Sequence, residues 1–201
     1  MSWIVRTPKV IFDCGSFDGA DALRMRAAYP EAIVVAIEAD PVRVEVVRRN
    51  IAGRGIVLVH CALFDENKRM DWYQRISRER GNEISSSNSL YPWTDAVIKR
   101  FAGVIDDMPD VLSVNARRLD DVWADMKIPE IDILHTDVEG AELPMLMGMG
   151  LMRPRMIYVE TLDYWIGSPK PSDVHEYLSA LGYRRINKMR KDSLYEIRSE
   201  R

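Results

Sequence analysis

The chain has 201 residues, of which 47% are hydrophobic and 29% are charged, and this composition is typical of a globular domain that buries its own core. The formal net charge of −3 gives no electrostatic reason to expect nucleic acid or an anionic membrane surface as a partner. Every apolar stretch is shorter than the roughly 18 residues of a membrane-spanning helix, and the N-terminus lacks the apolar core of a signal peptide. We therefore expect one domain over residues 1–201, located in the cytoplasm.

The stretch from Val10 to Ala20 combines an apolar run with acids and two glycines, and a helical pattern over residues 21–29 follows it. β-Branched and aromatic residues in an unbroken run are typical of a strand that is buried on both faces. Gly15 and Gly19 would allow backbone amides to approach a ligand at the N-terminus of that helix. Their Gly-x-x-x-Gly spacing departs from the Gly-x-Gly-x-x-Gly fingerprint of dinucleotide-binding proteins. The pattern favours a cationic or zwitterionic ligand that carries a ribose, with an ordinary α/β unit as the alternative.

A second apolar strand over residues 32–37 ends at Glu38, just before a helix predicted over residues 41–52. Glu38 follows Gly15 by 23 residues, close to the spacing of about 20 at which an acid binds a ribose diol. The alternative is that Glu38 only caps the next helix. Asp40 already supplies a cap for that helix, and Pro41 supplies the proline that is common in a first turn.

A third apolar strand is predicted over residues 56–63. The small side chains of Cys61 and Ala62 near its end would leave room for an adenine ring, and a role in the core is the alternative. Cys14 and Cys61 would end strands that lie two positions apart, about 9 to 10 Å, which is too far for a disulfide.

The middle of the chain changes character after an alternating stretch that predicts an extra strand over residues 68–74. A polar segment without periodicity follows, and long loops of this kind in a compact domain are usually functional lids or disordered. We predict a loop or lid insertion at about residues 75–94, which either meets an anionic substrate group or is simply solvated. The next predicted elements are a short helix over residues 94–101, a strand over 111–116 and a helix over 119–126.

Another apolar strand, over residues 131–136, ends in acids that include Asp137 and Glu139. The ligand crevice of an open α/β sheet lies where the strand order reverses, so Asp13 and Asp137 would face each other across it. The remaining predicted elements are a helix over residues 141–149, a strand over 155–161, a helix over 172–181, and strands over 183–187 and 194–198. We predict an α/β fold with a mostly parallel seven-stranded sheet, helices on both faces and an antiparallel C-terminal strand pair.

These motifs resemble the FkbM family of S-adenosylmethionine-dependent methyltransferases over roughly residues 9–187. The resemblance rests on Phe12-Asp13-Cys14-Gly15 with Gly19, Ile37-Glu38-Ala39-Asp40-Pro41, Asn50, the serine-rich stretch that leads to Ser89-Leu90-Tyr91-Pro92, Leu119-Asp120, and Thr136-Asp137-Val138-Glu139-Gly140-Ala141-Glu142. The last of these runs is the most specific.

The resemblance implies a Rossmann-like class I methyltransferase fold with S-adenosylmethionine as the cofactor. Members of the family are, as a rule, O-methyltransferases that act on small molecules, often sugars or glycosylated metabolites. The residues expected to bind the cofactor are Asp13, Gly15, Ser16, Gly19, Glu38, Ala39, Cys61, Ala62 and Asp137. Among them, Glu38 would bind the ribose diol, and Asp13 and Asp137 would favour the ammonium or sulfonium charge.

Methyl transfer to a hydroxyl requires an in-line geometry and a group that takes up a proton. The candidate bases are His135, Glu139 and Glu160. The family pattern has a lysine where His135 stands, and a histidine with its pKa near about 6.5 suits proton uptake around neutral pH. A strand histidine that packs into the sheet is the alternative. We favour Glu139, because functional groups of α/β folds cluster just beyond the strand ends.

Other functions stay open at this point. His135, Asp137 and Glu139 alternate along the strand but supply only one imidazole, so no metal is predicted. A nicotinamide-dependent oxidoreductase is disfavoured by the missing middle glycine and by the lack of a Tyr-x-x-x-Lys pair. In a regulatory protein that binds the cofactor without catalysis, substitution of Glu38 would abolish function, whereas substitution of Glu139 or His135 would leave it intact. The expected partner is a small hydroxylated molecule, and the sequence leaves open a nitrogen acceptor and a homo-oligomer.

Overall fold

Two sheets make up the fold in the computed structural model, which describes residues 7–81, 83–162 and 164–198. In chain order the elements are β1 (Val10–Cys14), α1 (Ala20–Ala28), β2 (Ile33–Glu38), α2 (Arg43–Asn50), β3 (Ile56–His60), β4 (Ala62–Leu63), β5 (Lys68–Ser77), a 3-10 turn (Arg78–Arg80), β6 (Glu83–Ile84), α3 (Asp95–Phe101), β7 (Ile105–Arg117), α4 (Leu119–Met126), β8 (Ile133–Thr136), α5 (Glu142–Met147), β9 (Met156–Glu160), α6 (Pro171–Ala180), β10 (Tyr183–Met189) and β11 (Asp192–Ile197).

The larger sheet has seven strands in the order β10-β11-β9-β8-β1-β2-β3. β1 pairs in parallel with both β2 and β8, so the strand order reverses between β1 and β8. β11 runs antiparallel to both β9 and β10. The predicted sheet, mostly parallel with an antiparallel C-terminal pair, is therefore confirmed.

Helices cover this sheet on both faces, as predicted. α1 and α2 pack on one face around Ile11, Val34 and Val47, whereas α4, α5 and α6 pack on the other face around Phe12, Leu134 and other core residues. All five residues of β1 are buried, because the strand is covered from both sides and its apolar side chains fill both cores.

A second sheet, with the order β4-β7-β5-β6, was not predicted from the sequence. The third predicted strand is split at Cys61, and its last residues join this sheet as β4. β5 and β7 are the long strands, and their register shifts where Tyr73 pairs with Val111 but Arg75 pairs with Asp107. Pro109 lies within the extra residues and has no N–H to donate, which suits a bulge rather than regular pairing.

Part of the segment predicted as a loop is strand, since β5 continues to Ser77 and β6 follows. The serine-rich strap, residues 85–91, folds back along β5 rather than projecting freely. Tyr73 and Ser89 exchange two backbone hydrogen bonds, of 2.8 and 3.2 Å. The buried Arg75 guanidinium donates to the Ser87 carbonyl at 2.6 Å and stacks over Trp93 at 4.4 Å. Polar side chains that satisfy local backbone groups thus fix this segment.

Gly15 lies where the backbones of two strand ends come very close. It has a φ of 86°, and a Cβ placed there would lie 1.9 Å from the carbonyl oxygen of Asp137. Any residue with a side chain is therefore excluded at position 15, both by the neighbouring strand end and by the positive φ.

The two cysteines are free and buried, as expected. Among the described residues, no helix has the length and hydropathy needed to cross a membrane.

Candidate active site

A cleft with about 550 Å³ of empty space lies at the carboxyl ends of β1, β2 and β8, between the two sheets. The larger sheet contributes Gly15, Phe17, Ile37, Glu38, Ala39, Asp137, Val138, Glu139 and neighbouring residues, and the second sheet with its strap contributes Trp72, Ser85, Ser86, Asn88 and Leu90. The cleft occupies the place where α/β folds usually bind ligands.

Glu38 is buried at the end of β2, and its carboxylate is held by backbone N–H groups. Oε2 accepts from Phe17 N at 2.7 Å and Oε1 accepts from Asp40 N at 2.8 Å. Burial raises the pKa of Glu38 from 4.5 to about 7, although these hydrogen bonds oppose the rise. A carboxylate has about four acceptor sites, so both oxygens keep the capacity to bind hydroxyl groups.

Asp40 is 1% exposed and accepts five hydrogen bonds from three parts of the chain. Oδ1 accepts from the backbone N–H groups of Val42 and Arg43, which confirms its predicted role as the cap of the second helix. Oδ2 accepts from the side chains of Trp72 at 2.9 Å, Gln74 at 2.7 Å and Asn88 at 2.9 Å. The same carboxylate therefore fixes the start of α2, the strand β5 and the strap.

Asp137 lines the cleft at the end of β8, and its Oδ1 is buried without a hydrogen-bond partner among the described residues. Burial raises the pKa of Asp137 from 3.8 to about 8, and the charges of Glu160 and Glu142 add to the rise. Burial also raises the pKa of Glu142 to about 7, although hydrogen bonds from backbone N–H groups oppose this. A buried acceptor without a partner, on a residue that lines the cleft, favours a ligand that carries a positive charge or an N–H donor.

Glu139 also lines the cleft and has an unusual backbone conformation. Its φ is 53°, a left-handed conformation that is costly for a residue with a side chain. The hydroxyl of Ser89, in the strap, donates to the Glu139 carbonyl and holds this conformation. Burial, and then the charges of Asp137, Glu160 and Glu142, raise the pKa of Glu139 well above its ordinary value. A carboxylate with a raised pKa is a stronger proton acceptor.

Glu160 lies at the end of β9, is 7% exposed, and is not among the residues that line the cleft. It forms an ion pair with Lys191, which lies between β10 and β11. The Thr161 N–H donates to the Lys191 carbonyl at 2.9 Å and fixes this turn beside the strand end. Glu160 thus influences the cleft through its charge.

The structure places four other predicted site residues away from the cleft lining. Asp13 and His135 are neighbours in register and share the sheet face of Ile11, under α1. Ser16 turns its hydroxyl back to Asp13, with 2.6 Å between Oγ and Oδ2. Gly19 begins α1, and a Cβ there would meet Ile51 at 3.0 Å. The predicted residues that do line the cleft are Gly15, Glu38, Ala39, Cys61, Ala62, Asp137 and Glu139.

Several residues of the cleft were not predicted from the sequence. Trp72 and Asn88 contribute to one wall, and Arg43 lies 4.2 Å over the ring of Phe17 at the other. Alternation over residues 68–74 predicted the strand that carries Trp72, but no local pattern shows that this strand packs over the end of β2. Cys61, which the sequence did predict, is buried in the core between the larger sheet and α4, α5 and α6, and this burial raises the pKa of its thiol to about 12.

Comparison with known proteins gives consistent results. Residues 13–185 match the family model described as the Methyltransferase FkbM domain. The chain is 30% identical over 175 residues to the 2-O-methyltransferase NoeI of Sinorhizobium fredii (strain NBRC 101917 / NGR234), covering 81% of this chain and 67% of that protein. It is 27% identical over 188 residues to the methyltransferase sdnD of Sordaria araneosa, covering 85% and 70%.

A solved structure shares the fold. A putative O-methyltransferase from Klebsiella pneumoniae aligns with a TM-score of 0.51 at 11% identity, over 96% of this chain and 74% of that one. The predicted Rossmann-like class I methyltransferase fold is confirmed.

Replacement of Asp40 by asparagine is expected to destabilise the protein by about 2–4 kcal/mol, because buried hydrogen bonds to a charged group are lost. The new amide would also place N–H donors against the donors of Trp72, Gln74 and Asn88. Urea unfolding measures the change. The control is Asp71→Asn, since Asp71 is exposed on β5, the strand that carries Trp72 and Gln74; equal stabilities of the two variants would contradict the role assigned to Asp40.

The raised pKa values predict that the ligand-free protein loses stability as the pH rises. Glu38 and Glu142 have folded pKa values of about 7 and Asp137 of about 8, against ordinary values of 4.5 and 3.8. Their stabilising contribution is fully present below the unfolded pKa values and is lost as the pH rises through the folded ones. We expect the free energy of unfolding to fall between about pH 5 and about pH 8, by at least about 2 kcal/mol.

Urea titrations at a series of pH values measure this change. Glu142→Gln is the test variant and should flatten the curve. A stability that is constant or rises over the same interval would contradict the burial of these acids in the ligand-free protein.

Proposed function

The chain belongs to the FkbM methyltransferase family, and from this premise we propose that it transfers the methyl group of S-adenosylmethionine to a hydroxyl of a small molecule such as a sugar or a glycosylated metabolite. The observation that carries the proposal is the buried, unpartnered Oδ1 of Asp137 in a cleft that also contains Glu38. One group suits an ammonium and the other suits a ribose diol. The two lie in one cleft, as a zwitterionic nucleoside requires.

The residues present fit that cofactor. The carboxylate of Glu38, oriented by Phe17 N and Asp40 N, would accept the ribose hydroxyl protons. The free Oδ1 of Asp137 would accept from the ammonium group. Cys61 and Ala62 line the cleft, and their small apolar side chains leave space for an adenine ring. Both residues are buried, at 3% and 4% exposed, so this part of the cleft is shielded from solvent.

When bound, S-adenosylmethionine supplies an electrophilic methyl group on a sulfonium centre. Glu139 is the residue that we assign to take the proton of the attacking hydroxyl, because it lines the cleft and its pKa is raised by burial and by neighbouring acids. His135 lies under α1, and Glu160 is ion-paired with Lys191 outside the cleft lining. Ser89 positions Glu139 through the Glu139 carbonyl.

The polar wall of the cleft supports a hydroxylated acceptor. Ser85 and Ser86 come from the strap and line a cleft that also carries the acids Asp137 and Glu139. Hydroxyl and carboxylate groups together suit a molecule with several hydroxyls, which both donate and accept. The name of the relative from Sinorhizobium fredii, a 2-O-methyltransferase, is in line with oxygen as the acceptor atom.

Cofactor binding is tested by calorimetric titration with S-adenosylmethionine, S-adenosylhomocysteine and NADH. We expect both sulfur-containing nucleosides to bind and NADH not to bind. Glu38→Gln should raise the Kd for S-adenosylhomocysteine at least about tenfold, because hydrogen bonds to a charged acceptor are replaced by weaker ones. Glu45→Gln, at an exposed position of α2, is the matched control. Binding of NADH alone, or equal affinities of the two variants, would contradict the proposed cofactor site.

The assignment of the base is tested with acceptor panels of sugars and glycosylated compounds, using formation of S-adenosylhomocysteine as the assay. Glu139→Gln should lower kcat by at least about 100-fold, the usual scale of general-base catalysis, with the Kd for S-adenosylhomocysteine nearly unchanged. Glu160→Gln should keep most of the activity. The reverse result would assign the base to Glu160, and full activity in both variants would contradict proton transfer by either acid.

A further inference from the structure

We propose that His135 is a positioning residue that acts through Asp13 and Ser16 to hold the turn at one wall of the cleft. The inference rests on the proposed cofactor site and gives a role to a histidine that lies outside it. The turn comprises residues 15–17, which follow the end of β1 and precede α1.

Asp13 is fully buried, and its two carboxylate oxygens have different partners. Oδ1 lies 2.8 Å from Nδ1 of His135 on the neighbouring strand. Oδ2 accepts from the Ser16 hydroxyl at 2.6 Å, and the Asp13 carbonyl lies 3.1 Å from the same hydroxyl. A buried carboxylate is stable only when donors or a cation compensate its charge. His135 is the partner that can supply a positive charge.

The turn is held by Asp13 and Ser16 on the side away from the cleft, and two of its residues form part of the cleft wall. Gly15 and Phe17 line the cleft. The N–H groups of Gly15 and Ser16 both donate to the Ile37 carbonyl at 3.0 Å, and Phe17 N donates to Glu38 at 2.7 Å. A change at Asp13 therefore moves the backbone that orients the Glu38 carboxylate.

The charges around His135 come from each strand and helix that faces it. Asp13 lies on β1, Asp21 on α1 and Asp137 just after β8, while the ring of Tyr158 on β9 lies 5.1 Å away. Burial lowers the pKa of His135, but the hydrogen bond and charge of Asp13, with smaller contributions from Asp21 and Asp137, raise it above its ordinary value.

The direction of this shift gives the pH dependence. The contribution of the charged pair is fully present below the unfolded pKa of histidine and is lost as the pH rises through the folded pKa. A neutral imidazole still donates one N–H to Asp13, but such a bond is about half as strong as the charge-assisted one. The turn is therefore held less firmly at alkaline pH.

The test compares the wild type with His135→Lys, which keeps a cation throughout, and His135→Gln, which offers only neutral donors. His175→Gln is the control, because His175 lies on α6 and contacts Tyr195. Hydrogen exchange of the amides of residues 15–17, corrected for intrinsic rates and referred to amides of β2, is measured without ligand at about pH 6 and about pH 8. The Kd for S-adenosylhomocysteine is measured under the same conditions.

Between the two pH values, the wild type should lose at least about threefold in local protection and in affinity relative to His135→Lys, and should approach His135→Gln. His175→Gln should behave as the wild type. If local protection and affinity change with pH by the same factor in the wild type and in His135→Lys, the inference is overturned. If His135→Lys fails to fold, convergence of the wild type with His135→Gln at the higher pH supports the inference, and a constant difference between them overturns it. If no protein binds S-adenosylhomocysteine but the exchange difference is intact, the proposed cofactor site is contradicted and the role of His135 still holds.

Discussion

The hydrogen bonds that converge on the Asp40 carboxylate hold the two sheets together at the cleft. One oxygen accepts hydrogen bonds from backbone N–H groups at the start of α2. The other accepts hydrogen bonds from the side chains of Trp72, Gln74 and Asn88, which lie on β5 and the strap. Because the Asp40 N–H also donates to Glu38, the residue assigned to the ribose and the wall assigned to the acceptor depend on the same few bonds. A buried charge of this kind is tolerated only when its acceptor positions are filled, and here five donors fill them.

The second constraint is the concentration of acids where the strands end. Asp137, Glu139, Glu142 and Glu160 influence one another, and burial raises the pKa of the first three. Lys191 lies beside Glu160 and offsets part of this charge. A ligand with an ammonium and a sulfonium would offset more of it. In this account the energy lost by burying acids in the ligand-free protein is recovered when a cationic ligand binds, so stability and binding are linked.

Periodicity and turn chemistry were enough to predict most of the larger sheet. The apolar runs of β1, β2 and β9 and the acids that follow them required only local patterns. The second sheet was missed because β7 carries Asp106, Asp107 and Pro109, which hide its alternation, and because its pairing with β5 joins distant parts of the chain. The position of His135 was left open from the sequence, with packing into the sheet as the alternative, for another reason. The alternation of a strand shows which residues share a face, but tertiary structure decides which face meets α1 and which residues reach the cleft.

The central claim is that Glu38 and Asp137 bind the two ends of one nucleoside cofactor, with the strap closing the far wall. A crystal structure of the protein with S-adenosylhomocysteine tests it most directly. The account predicts ribose hydroxyl oxygens within about 2.5–3.0 Å of the Glu38 carboxylate, and an amino group within about 2.7–3.2 Å of Asp137 Oδ1. S-adenosylhomocysteine bound outside this cleft, or bound within it with the ribose away from Glu38, would contradict the account.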